Sequence, residues 1–185
     1  MEIFETGSSR SRFICHKAKE TNKWWSGEDN IDFKFMLIDL DTVKTGIGKY
    51  SVQQGYEYKW ATPVGSKLVK PDEQWKNAFS VWTFVDTEDE PLLWNRHSFG
   101  EYQGFVDMLR QCWKDKAANE GKVACFQYVK SIDLDVGMGT SKPVFEFVGF
   151  KDRPEKFVVP SWDNEDAAEK PAEPKKELTP DEIPF

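Results

Sequence analysis

No stretch of about 18 consecutive apolar residues occurs in the chain, so no segment reads as a membrane-spanning helix. The opening MEIFETGSSRSRF has no apolar centre and does not read as a secretory leader. A cytoplasmic protein with no membrane partner is expected. Cysteine is sparse. Cys15, Cys112 and Cys125 form no C-x-x-C pair and are odd in number, which argues against a disulfide framework and fits reduced thiols. Zinc ligands come in close pairs at fixed spacing, and Cys15, His16, His97, Cys112 and Cys125 are scattered. The glycine-rich GMGTSK, 137–142, lacks the spacing of a phosphate-binding loop, and no G-x-S-x-G motif occurs. No enzyme activity, metal or cofactor is therefore expected.

Large rings are abundant instead. Aromatic residues make up 15% of the chain, with eight tryptophans. Such rings build a core, or they offer flat faces for stacking on bases or sugars. The net charge of −7 speaks against nucleic acid if taken whole, but its distribution is uneven. From Ser161 onward eight acids face three lysines, leaving that stretch at −5 and residues 1–160 at −2. The body is close to neutral and has room for a basic groove.

The body reads as strands with one helix. Residues 13–19 suggest a first strand. NKWWSGEDN reads as a loop that exposes both Trp24 and Trp25. Over 31–41 the alternation puts Phe33, Phe35 and Leu37 on one face and Asp32, Lys34 and Met36 on the other. The β pattern continues through 46–52 and 56–60, where Tyr56, Tyr58 and Trp60 share a face. Two prolines make 62–75 a loop; 77–86 and 91–97 read as two arms of a hairpin. SFGE, 98–101, fits a capping box in which Ser98 accepts from an amide and Glu101 reaches back. Tyr102, Phe105, Leu109, Cys112 and Trp113 then form one apolar stripe, and Gly121 stands where a helix of about 20 residues would stop. Strands follow at 122–134 and 142–150. This order fits a mainly β fold: an OB-fold-like five-stranded barrel with insertions and one helix between the third and fourth strands.

Two constellations have chemical meaning. Lys34, Lys44, Lys49, Lys59, Lys67 and Lys70 interleave with Tyr50, Tyr56, Tyr58 and Trp60. Single-stranded nucleic acid needs this mixture, cations for phosphates and rings for bases. The candidate DNA-binding set is Trp24, Trp25, Lys34, Lys49, Tyr56, Tyr58, Lys59, Trp60, Lys67 and Lys70. The same residues also suit a barrel core with a solvated charged face. Asp39-Leu40-Asp41 and Asp133-Leu134-Asp135 are the second constellation. Alternate carboxylates on a strand share a face and can hold Mg²⁺, as a nuclease would require, but no His or Lys signature completes the site. A Trp-rich β-domain that stacks on sugars is the other alternative.

Residues 161–180, SWDNEDAAEKPAEPKKELTP, hold too few apolar side chains to offset chain entropy and read as disordered. DEIPF, 181–185, then restores apolar character at the tip. D-E-I-P-F resembles the acidic C-terminal tip of bacterial single-stranded DNA-binding proteins. With its OB-like body, the chain most resembles the bacteriophage members of that kind. The resemblance implies an OB-fold domain over 1–160 and a disordered tail over 161–185. It also implies that Asp181, Glu182, Ile183, Pro184 and Phe185 bind replication or recombination proteins. The implied function is sequence-independent binding and protection of single-stranded DNA during phage replication, recombination and repair, in the host cytoplasm. Oligomeric state stays open, a homo-oligomer included.

Overall fold

The structure is a computed structural model and describes residues 13–18, 23–136 and 139–160. The tail and tip expected over 161–185 lie outside the described residues, as do Gly137 and Met138 of the glycine-rich loop.

Two antiparallel sheets form. The small one joins β1 (Cys15–Lys17), β2 (Lys23–Ser26) and β3 (Asp29–Ile31) in that order. The large one runs β10-β9-β4-β7-β5-β6, with β8 also paired to β7. Its members are β4 (Phe35–Ile38), β5 (Lys44–Ser51), β6 (Gly55–Trp60), β7 (Lys76–Val85), β8 (Leu92–Arg96), β9 (Val123–Asp133) and β10 (Ser141–Lys151). The mainly β expectation holds. The sheet has seven strands, not five, and is not closed into a barrel.

The long β7 organises the sheet. Its C-terminal half pairs with β4, Val85 opposite Met36, and its N-terminal half pairs with β5, Lys76 opposite Gly48. Between β4 and β5 the chain makes a 3-10 turn, Leu40–Thr42, so the single strand expected over 31–41 is interrupted. Asp39 causes the break: its carboxylate accepts from the Asp41 amide at 3.1 Å, which a strand residue would not do. The facing of β4 also differs from expectation. Met36 and Ile38 are buried, whereas Phe35 and Leu37 are half-buried. The Asp86 carboxylate takes the Lys34 and Phe35 amides, both at 3.2 Å, and the strand starts only at Phe35. Phe33 therefore lies ahead of the pleat and is buried independently of its period.

The helix α1 (Phe99–Cys112) starts where Ser98 predicts and buries Phe105, Met108, Leu109 and Cys112 against the sheet. It is shorter than its stripe suggests; 3-10 turns at Trp113–Asp115 and Ala117–Asn119 carry the chain to Gly121, whose φ is 79°. Two glycines set its distance from β10. A Cβ on Gly100 would lie 1.9 Å from the Ser141 carbonyl oxygen, and one on Gly104 would lie 2.7 Å from that of Pro143. The opposite face of the sheet is covered by the chain after β10. Phe157 packs with Trp82, Leu93 and Val123, and Arg153 pairs with the buried Asp39 carboxylate.

Candidate nucleic-acid interface

The β5–β6 hairpin is an edge of the large sheet, closed by a three-residue turn between Ser51 and Gly55. Gly55 has φ 72°, the left-handed setting such a turn uses. Directly paired residues share a face, so Tyr50 lies beside Tyr56, Gly48 beside Tyr58 and Gly46 beside Trp60. Extending the rows to β7 adds Lys76 next to Gly48 and Ala78 next to Gly46.

One face of the hairpin thus carries a ladder of rings. Tyr56 and Tyr58 are near parallel at 7°, with centroids 6.4 Å apart; Tyr58 and Trp60 are at 6° and 5.1 Å. Tyr50 joins Tyr56 at 4.9 Å. The ladder is wet at its turn end and shielded further in: Tyr50 and Tyr56 are exposed, Tyr58 and Trp60 half-buried. Glycines make the packing possible. A Cβ on Gly48 would come within 2.7 Å of the Tyr58 ring, so only a bare backbone lets that ring settle over β5. Burial pushes the Tyr58 phenol up to about 12, against a smaller opposing effect of Arg96.

His97, just past β8, closes one side of the ladder, with its ring edge-on to Tyr56 at 5.7 Å and to Tyr58 at 6.2 Å. Burial, then the neighbouring Arg96 and Lys76 charges, hold its pKa below the usual histidine value. Arg96 is fixed from below. Its Nε donates to Glu101 Oε2 at 2.8 Å, and Glu101 also accepts from the His16 amide, Trp94 Nε1 and Ser98 Oγ. Burial works against the Arg96 charge, yet the Glu101 carboxylate outweighs it and raises the pKa. Ser98 therefore does not form the expected capping box: its hydroxyl donates to Glu101, and its side chain caps no amide.

The expected residues separate into groups. Tyr56, Tyr58 and Trp60 come together as read. Lys49 and Lys59 do not join them, because odd positions of the hairpin point to the other face; both ammonium groups lie over the Trp75 ring, at 5.0 and 4.8 Å. Lys49 is also paired with Glu57 at 3.0 Å. Lys67 and Lys70 line a cleft beside the hairpin. Lys34 stands at the far end of β7, near Asp86, with its ammonium 5.3 Å from the Phe35 ring.

The tryptophan pair is a correction. NKWWSGEDN is a hairpin, with Gly27 at φ 62° in its turn, and alternate residues of β2 face opposite ways. Trp24 is 3% exposed, packed against Phe33, Trp94, Tyr128 and Phe145, and offers no face to a base. Trp25 is half-buried under the Lys17 ammonium at 4.7 Å, in the small sheet rather than the ladder. Asp39 and Asp41 are likewise engaged, with Arg153 and Lys116, and among the described residues no acidic, histidine or cysteine cluster is arranged to hold a metal. Sequence reading missed Arg96, His97 and Lys76. The R-H pair at the end of a strand was the available signal, but only the β7–β8 register brings it to the ladder. No protein-family model, curated protein or solved structure matches the chain.

Proposed function

We propose that the protein binds and protects single-stranded DNA without reading its sequence, and is not an enzyme. The observation that carries this is the ladder of Tyr56, Tyr58 and Trp60, open at one end and sharing its face with Lys76. Every base has a π-face, so rings stack without sequence preference, contributing about 1–3 kcal/mol per base, while cations track the backbone. The setting follows the resemblance: phage replication, recombination and repair, with Asp181, Glu182, Ile183, Pro184 and Phe185 recruiting partner proteins. The order of elements supports an OB-fold reading of the body. β4 and β5 stand for one interrupted first strand, β7 and β8 for the second and third, and β9 and β10 follow the helix; β6 is an insertion. The pairing of β4 with β9 agrees with it, and α1 packs against β10 at the unclosed side.

The test is titration with a thymine oligonucleotide at low and moderate salt, read by tryptophan fluorescence, beside a duplex of equal length. Quenching by the single strand, weakened by salt and by Trp60→Phe, is expected. Equal response to the duplex, or no binding, overturns the proposal.

A further inference from the structure

Beside the ladder two open clefts, of about 300 and 290 Å³, share Lys70, Asn77 and Tyr102 as walls and so form one channel. It lies between the 61–75 segment and the start of α1. His97 belongs both to this channel and to the ladder, since its ring touches Tyr56 and Tyr58. We infer that a bound single strand leaves the ladder across His97 and follows this channel, its phosphates meeting Lys76, Lys70 and Lys67 in turn. This rests on the single-strand reading above and adds the path.

Charge supports it first. Among the described residues, no carboxylate lines either cleft. Among the described residues, the Lys67, Lys70 and Lys76 ammonium groups have no ion-pair or hydrogen-bond partner, whereas Lys49, Lys116, Lys142 and Lys156 are each held by an acid. Three uncompensated cations along a groove without acids attract a polyanion, and a small anion would not need three spaced in a line. Register supports it second: Lys76 sits in the same cross-strand row as Gly48 and Tyr58, so the first cation starts where the half-buried ring ends. The channel also has stacking faces of its own. Phe99 is 51% exposed at its rim and Tyr102 is half-buried in its wall.

The experiment uses the full chain, with thymine oligonucleotides of about four and about twelve nucleotides, a span that brackets short and long single-strand sites. Lys67→Gln/Lys70→Gln is compared with Tyr56→Ala, because Lys76 shares the face of the ladder itself. Both lysines are exposed, so the double variant folds. It is expected to leave affinity for the short oligonucleotide within about twofold, to weaken the longer one about tenfold at low salt, and to lower its salt slope by about 1.4. Tyr56→Ala is expected to weaken both lengths. Loss on neither length, or equal loss on both, from the lysine variant overturns the path while Tyr56→Ala still upholds the ladder. If neither length binds the wild-type chain, the single-strand reading falls and takes the path with it.

Discussion

Glu101 shows how one residue sets both stability and site geometry. Only 1% of it is exposed, yet its carboxylate takes four donors, from β1, from β8 and from the segment before the helix. Glu101→Ala leaves Arg96, the Trp94 indole and the His16 amide without their acceptor. Breaking a buried ion pair from one side costs about 3–5 kcal/mol, far above a surface pair. Urea unfolding is expected to show that loss with an unchanged slope. In the sequence Glu101 looks like an ordinary capping residue, because a capping box and a buried hub use the same Ser-x-x-Glu spacing; only β8 and β1, brought in by tertiary contact, tell them apart. Tyr58 gives a second residue-scale test. Its phenol is held to about 12, above the ordinary value near 10, so the group is neutral in both states below pH ~10. Its contribution to stability is complete there and is lost as pH rises through about 12. Gly48→Ala drives a Cβ into the Tyr58 ring and displaces it. Tyrosinate absorbance is then expected to show one phenol moving down towards 10, with weaker binding of single strands. An unmoved titration shows that the ring is not seated on Gly48.

At the scale of elements, glycine spacing decides how α1 seats. Alanine in place of glycine favours a helix by about 1 kcal/mol. At Gly100 that gain meets a backbone carbonyl oxygen 1.9 Å away, which no side-chain rotation can relieve. Overpacking of this kind costs about 1–3 kcal/mol or more, so Gly100→Ala is expected to be clearly destabilising in thermal denaturation. Gly104→Ala, at 2.7 Å, is expected to fall between that and neutral. Most strands and the helix are legible from period and turn chemistry. β7, β8, β9 and β10 fall within a few residues of their apolar runs. The misread elements have two causes, one tertiary and one local. β2 and β3 look like loop because Ser26, Gly27 and Glu28 are turn residues, but they serve a tight hairpin whose Trp24 is held by distant rings from β8, β9 and β10. β4 looks longer than it is because Asp39 ends it with a local hydrogen bond that apolar periodicity does not register. The ladder was legible because its residues alternate within one strand; the lysines were not, since alternation puts Lys49 and Lys59 on the face opposite the rings.

Over the whole molecule, charge is unevenly divided, and on the proposed reading DNA and the chain's own end would compete for the same surface. The channel presents Lys67, Lys70 and Lys76 uncompensated, while residues 161–185 hold −5 of the net −7. A tethered polyanion acts at an effective concentration set by its tether, far above that of a free peptide at working dilution. On the single-strand reading, competition between residues 161–185 and a bound strand for the channel is then expected from charge alone. The attraction between exposed charges is screened over about 10 Å at 0.1 M salt, so the competition weakens as salt rises. Deleting 161–185 is expected to raise affinity for a thymine oligonucleotide severalfold at low salt, with the gain shrinking towards nothing at high salt. The Lys67→Gln/Lys70→Gln variant is expected to show a smaller gain on the same deletion, because the tail and the strand lose the same cations. An equal gain in both backgrounds would place the tail's effect elsewhere, as a general repulsion of DNA rather than occupancy of the channel. The coupled result would give single-stranded DNA a second effect: by taking the channel, it frees Asp181 to Phe185 for a partner protein only where DNA is already bound.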